Sequence, residues 1–93
     1  MKNKPLVSIL ITNYNSKKYI HRCIKSCIDQ SYKKIEIVFF DDCSIDKSLE
    51  EINKFRKIKV IKNKKRTNYG SYNQINGLKK AFKKSTGKII CFL

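Results

Sequence analysis

Ninety-three residues amount to one domain at most, or to part of one. Twenty-two Lys and Arg against 7 Asp and Glu leave a net charge of +15, with 41% hydrophobic residues, 3 Gly and 1 Pro. That balance excludes collagen-like repeats and low-complexity disorder. The longest clean apolar runs, Ile9–Ile11 and Ile37–Phe40, fall far short of the ~18 residues a membrane span needs.

The charged start, Met1-Lys2-Asn3-Lys4-Pro5, leads into a short apolar run cut by Ser8, with no small-residue cleavage site behind it. The expectation is a chain without a signal peptide, working in the cytoplasm. Four cysteines in such a chain read as free thiols rather than a disulfide frame. The basic residues, 19 Lys to 3 Arg, have two readings of equal weight. One is a solvated Lys-coated surface of the kind AT-rich coding produces; the other is attraction to anionic lipid headgroups or polyphosphate ligands.

In chain order, Leu6–Thr12 is a compact β-branched run between Pro5 and Asn13-Tyr14-Asn15-Ser16, which predicts a strand buried on both faces. Asn15 or Ser16 can cap the helix that follows. Its stripe is Tyr19, Ile20, Cys23, Ile24, Cys27 and Ile28, which makes the two cysteines core residues rather than metal ligands and leaves His21 exposed. Ile35–Phe40 is the second strand and ends in Asp41-Asp42-Cys43-Ser44. A helix with Leu49, Ile52 and Phe55 on one side follows, with Ser44 or Asp46 near its start. Ile58–Ile61 reads as the third strand and runs into the basic stretch Lys62–Arg66. After Asn68-Tyr69-Gly70-Ser71 comes a helix carrying Ile75, Leu78, Ala81 and Phe82, stopped by a glycine C-cap near Thr86-Gly87. Ile89–Leu93 opens a fourth strand.

The order β-α-β-α-β-α-β, with no hairpin signal, predicts an α/β fold: a Rossmann-like, three-layer parallel sheet with helices on both faces. Ligands of such sheets sit beyond the carboxyl ends of the strands, which singles out Thr12–Asn15, Asp41–Ser44 and Lys62–Gly70. Neither GxGxxG nor GxxxxGK(S/T) is present, so neither a dinucleotide fingerprint nor a P-loop holds a phosphate here.

Five segments carry a resemblance. Val7-Ser8-Ile9-Leu10-Ile11-Thr12-Asn13-Tyr14-Asn15 resembles V-S-(V/I)-I-(I/V)-P-T-Y-N, and Ser26–Tyr32 resembles S-(V/I)-L-x-Q-(S/T)-(Y/F). Ile35–Asp46 is similar to E-I-I-V-V-D-D-G-S-x-D. Asn68-x-Gly70 through Asn73, then Gly77-Leu78 and Ala81, is similar to N-x-G-x-x-x-A-x-N-x-G-(I/L). Gly87–Leu93 is similar to G-(E/K)-(Y/I)-(I/V)-x-(F/L)-(L/M). Together they resemble, in order and over the whole chain, the opening of family-2 glycosyltransferases.

The resemblance implies that residues 1–93 are the N-terminal, nucleotide-sugar-binding part of a GT-A-type domain, incomplete at its C-terminus. Such a domain would take a nucleoside diphosphate sugar, UDP-linked by preference, and pass the sugar to a glycan or lipid-linked acceptor. Thr12, Tyr14 and Asn15 would lie at the nucleotide, with the Tyr14 ring free to stack. Asp42 would accept a hydrogen bond from the base, and Arg66 and Asn68 would sit near the base or diphosphate. Asp41, Ser44 and Gly70 would support them. A carboxylate only accepts, so it suits the N–H edge of uracil. Adjacent residues on a strand alternate in direction, so one of Asp41 and Asp42 faces the ligand while the other caps the next helix or braces the loop. Cys43 stands where the family has Gly, at a cost on the order of 1 kcal/mol if the position needs a positive φ.

In the family, the strand matching Ile89–Leu93 runs into a D-x-D element that binds a divalent metal, Mn or Mg. Here that motif is expected after Leu93, so the chain alone is expected to bind no metal, to hold no catalytic residue, to be poorly stable and to be inactive. The resemblance also allows an anionic membrane surface as a partner, at the inner face of the membrane. The alternative is a basic module for nucleic acid or an anionic surface without catalysis. With so few Arg and no known nucleic-acid motif, specific nucleic-acid binding is not expected.

Overall fold

The computed structural model describes residues 4–92. Seven elements alternate: β1 (Val7–Asn13), α1 (Lys17–Asp29), β2 (Ile35–Asp41), α2 (Ser48–Ile52), β3 (Ile58–Lys62), α3 (Gly70–Lys84) and β4 (Ile89–Phe92). The four strands form one sheet, all parallel as the alternation predicts, and their spatial order is β3-β2-β1-β4. In its register, Asn13 ends beside Asp41 and Asp41 beside Lys62, so β1, β2 and β3 finish level with one another.

The period-two pattern sorts the strand side chains into two cores. Ile9, Ile11, Ile37 and Phe39 pack with Ile20, Ile24 and Cys27 of α1 and Ile52 of α2. Leu10, Val38 and Phe40 pack with Ala81 of α3. The result is three layers, with α1 and α2 on one face of the sheet and α3 on the other. Phe39 and Phe40 are at most 1% exposed, and burying each side chain stabilises the fold by roughly 1.5–3 kcal/mol. α3 lies so close that a Cβ on Gly77 would meet the Phe40 ring at 2.6 Å.

Local details depart from expectation where tertiary contacts outweigh local signals. Ser16 holds the N-cap position of α1 without a side-chain cap, and the free Lys17 amide donates instead to Asp46 Oδ2, 2.9 Å away in the loop before α2. α2 ends at Ile52, and Phe55 packs against the same core from the turn beyond it. Gly87 is not a helix cap: α3 stops at Lys84 with Ser85 extended, and no glycine has a positive φ. Gly87 is required because a Cβ there would fall 2.4 Å from Ser8 Oγ and 2.7 Å from the Leu6 carbonyl.

Tyr19 and Ile28 of α1 and Ile75 and Phe82 of α3 are exposed rather than part of the core. Cys27 is buried and Cys23 partly so, and burial pushes both thiols up; all four cysteines are free. His21 is exposed, with its ring edge-on to Phe55 at 5.5 Å. Among the described residues no helix is long and apolar enough to cross a membrane. Leu93 lies outside the described residues.

At the amino end of the sheet, Glu36 ties four segments together. Its carboxylate pairs with Lys59 Nζ at 2.7 Å and accepts hydrogen bonds from the Ser8 hydroxyl and from the Thr86 and Gly87 amides. Burial alone would raise its pKa, but the bonds from Lys59, Ser8 and Thr86 outweigh burial and hold it at about 2 instead of 4.5. A carboxyl lowered on folding stabilises above its ordinary pKa, and that stabilisation disappears as pH falls through the folded value. We therefore predict an acid limb in the denaturation midpoint between pH 4.5 and about 2. Glu36→Gln should lower stability at pH 7 and flatten that limb; an unchanged limb in the variant would show that other carboxyls set it.

Candidate functional site

The level ends of β1 and β2 bring two adjacent acids to the rim of the sheet, and they point to opposite sides. Asp41, 1% exposed, is consumed by structure. Its Oδ1 accepts Asn13 Nδ2 at 2.9 Å and the Ser44 hydroxyl at 2.7 Å, and its Oδ2 accepts the Ser44 amide at 3.0 Å. Ser44 Oγ in turn accepts the Asn15 amide at 2.9 Å, and Asn15 Oδ1 accepts the Ile45 amide at 2.8 Å. The loops after β1 and β2 are thereby stitched to each other. Asn15 and Cys43 both take left-handed conformations, with φ of 50° and 62°, to make these turns.

Asp42, next along, turns the other way. Its Oδ1 accepts Asn63 Nδ2 at 2.7 Å, and its Oδ2 lies 3.0 Å from Arg66 Nε. Asn63 is itself fixed: its amide donates to the Asp41 carbonyl at 2.8 Å, extending the β2–β3 ladder. The Arg66 guanidinium lies over the Tyr14 ring, 3.6 Å from its centroid. Arg66 Nε is buried and makes no directed hydrogen bond, so its attraction to Asp42 is one of charge.

These groups surround a cavity of about 170 Å³ at the carboxyl ends of β1 and β2, lined by Thr12, Tyr14, Phe40, Asp42, Arg66 and Gly70. Asn13, Asn73 and Gln74 complete its wall. Of the residues expected at a nucleotide, Thr12, Tyr14, Asp42 and Arg66 therefore converge, and Gly70 joins them from the start of α3. A Cβ on Gly70 would meet nothing within 4 Å. Asn15, Asp41 and Ser44 form the stitching behind the cavity, and the exposed Asn68 is not in its wall. Sequence reasoning missed Asn13, Asn63 and Asn73, three amides whose partners lie on other segments.

A larger hollow of about 420 Å³ lies between α3 and β4, lined by Ile75, Leu78, Phe82, Phe92 and the stems of Lys79 and Lys83. It offers no converging polar groups, whereas the smaller cavity combines an acid, a cation and an aromatic face. Among the described residues no three His, Cys, Asp or Glu side chains come together where they could hold a metal ion. Asp41 and Asp42 are both engaged by protein donors, and neither offers a free carboxylate to a metal ion.

Comparison with known proteins is consistent across sequence and structure. The family model for glycosyl transferase family 2 matches residues 8–93. An uncharacterized glycosyltransferase of Haemophilus influenzae is 42% identical over 80 residues, which cover 82% of this chain and 24% of that protein. The Escherichia coli UDP-Glc:alpha-D-GlcNAc-diphosphoundecaprenol beta-1,3-glucosyltransferase WfaP is 43% identical over 56 residues, 60% of this chain and 22% of that protein. The crystal structure of S. aureus TarS 1-349 in complex with UDP superposes with a TM-score of 0.82 at 28% identity, covering 94% of this chain and 26% of that one. The chain thus spans about a quarter of the length of the proteins it matches.

Cys43, at φ 62°, is the strained joint of the site. Glycine relieves the Cβ clash of the left-handed region but gains freedom in the unfolded chain, so the two effects partly offset. Cys43→Gly is expected to raise stability by about 0.5–1 kcal/mol in urea denaturation. A loss of stability would mean that the thiol's contact with the Asn63 carbonyl, at 3.4 Å, outweighs the strain.

Proposed function

The chain belongs to the family 2 glycosyltransferases, and from that premise we propose that residues 1–93 form the part that binds the donor, a UDP-linked sugar. The observation that carries the proposal is the convergence of Tyr14, Asp42 and Arg66 on one cavity at the ends of β1 and β2. Stacking on an aromatic ring stabilises a bound base by about 1–3 kcal/mol, and Tyr14, 44% exposed, offers the face that Arg66 leaves uncovered. Asp42 accepts from the uracil imide N–H; cytosine presents an acceptor at the same ring nitrogen and gains nothing there.

Charge favours a diphosphate beside the base. From Ile52 to the end the sequence holds 13 Lys and Arg and no Asp or Glu, and Lys62, Lys64 and Lys65 lead directly to Arg66. TarS has been crystallised with UDP and with UDP-GlcNAc, which supports a uridine donor. The E. coli relative is named for a diphosphoundecaprenol substrate, which supports a lipid-linked acceptor, a free glycan being the other class.

Family 2 enzymes generally use a divalent metal, Mn or Mg, which supplies charge stabilisation for the departing diphosphate. No described residue is assigned to hold it or to the transfer step. In this proposal the enzyme works in the cytoplasm, against the inner membrane face when its acceptor is lipid-linked. No observation in the structure favours the alternative, a nucleic-acid module.

The experiment is a thermal-shift and calorimetric titration of the 93-residue chain with UDP, CDP and GDP. UDP should bind saturably and better than CDP, and should raise the melting temperature. Asp42→Ala and Tyr14→Ala should each weaken UDP at least tenfold, about 1.4 kcal/mol. Equal shifts with all three nucleotides, unaffected by Asp42→Ala, would mean that net charge alone does the binding, and the proposal would fail.

A further inference from the structure

We infer that Asn73 is a positioning residue: its buried amide fixes the loop that carries Arg66, and so sets the stacking of Arg66 on Tyr14 and its approach to Asp42. Its ligand test rests on the proposed uridine donor, but its structural basis does not.

Asn73 lies in the first turn of α3 and is 4% exposed. Its Oδ1 accepts the Thr67 amide at 3.0 Å and the Thr67 hydroxyl at 2.6 Å, and its Nδ2 donates to the Thr67 carbonyl at 2.9 Å. One side-chain amide thus holds both main-chain polar groups of the residue that follows Arg66. Only Asn, which accepts and donates from one planar group at this reach, can close the bracket; Asp lacks the donor and Ser lacks both the length and the second group.

The bracket completes the restraints on Arg66, whose side chain is held by charge to Asp42 and by the Tyr14 face. Upstream, the chain is pinned at Asn63 by its bond to the Asp41 carbonyl. Between the two pins, the Lys64 and Lys65 side chains are exposed, while Asn63 accepts the Lys64 amide at 3.0 Å and donates to the Lys65 carbonyl at 2.9 Å. Arg66 Nε has no directed hydrogen bond, so its placement over Tyr14 and beside Asp42 rests on undirected contacts whose register is set by a backbone held at both ends. A purely structural role at the helix start would have a different signature: loss of Asn73 would lower stability and leave the coupling to Arg66 untouched.

A double-mutant cycle separates the two roles. UDP affinity is measured for the wild-type chain, Arg66→Ala, Asn73→Ala and the double variant. Asn73→Ala should weaken UDP about tenfold, Arg66→Ala at least as much, and the double variant no more than Arg66→Ala alone. Losses that multiply would overturn the inference. A ligand-free measurement decides it independently: the NMR contact between the Arg66 guanidinium and the Tyr14 ring should be present in the wild type and absent in Asn73→Ala. If that contact persists, the inference is wrong. If Asn73→Ala does not fold, Asn73→Asp, which keeps both acceptors and removes the donor, should lose the contact in the same way, and retention would overturn the inference. If wild-type protein binds no UDP, the proposed function falls, and the NMR contact alone decides the role of Asn73.

Discussion

The buried carboxylate of Asp41 sets the geometry of everything at the rim of the sheet. It takes a hydrogen bond from Asn13 on the neighbouring strand and two from Ser44 in its own loop, with no solvent to replace them. Removing one partner from such a group costs far more than the bond's net contribution, because the remaining charge stays buried. The loops after β1 and β2 therefore move as a unit, and the alternation of a strand delivers Asp42 to the opposite side. Two identical side chains, adjacent in sequence, thereby acquire separate duties: one is spent on the scaffold, the other is left at a cavity wall.

On the cavity side the electrostatics are lopsided. Asp42 is the acid of the wall, with Arg66 3.0 Å away and Lys80 reaching the Asn63 amide that holds it. Arg66 neutralises Asp42 and lies against one face of Tyr14 at once, so the three side chains form one preassembled group at the cavity wall. With Arg66 about 31% exposed, its pair with Asp42 is a partly solvated one rather than a fully buried one.

Much of this was legible in the sequence, for reasons that differ by feature. The strands and their parallel pairing follow from runs such as Ile37–Phe40 and from strict alternation with helices. Sheet topology singles out the strand tails, and the family resemblance names Tyr14, Asp42 and Arg66 within them. Asn13, Asn63 and Asn73 could not be placed that way: an amide's partner depends on which loop lies opposite, and nothing local to these residues names Asp41, Asp42 or Thr67. Gly87 misled in the opposite direction. A glycine after a helix suggests a left-handed cap, but this one exists to let the chain pass Ser8 and the Leu6 carbonyl. Ile75 and Phe82 have helical spacing, yet both are about half exposed and line the hollow beside Phe92 instead of entering the core.

The two ends of the sheet use carboxylates for opposite purposes. At the amino end Glu36 draws its ligands from β1, β3 and the turn before β4, all supplied by the protein itself, so its charge is wholly absorbed in holding strands together. At the carboxyl end the same absorption occurs at Asp41, and only there does a further acid follow it. Asp42 is 5% exposed and holds both Asn63 and Arg66, so it answers protein donors while standing at the cavity wall, and the extended β2–β3 ladder through Asn63 is what presents it.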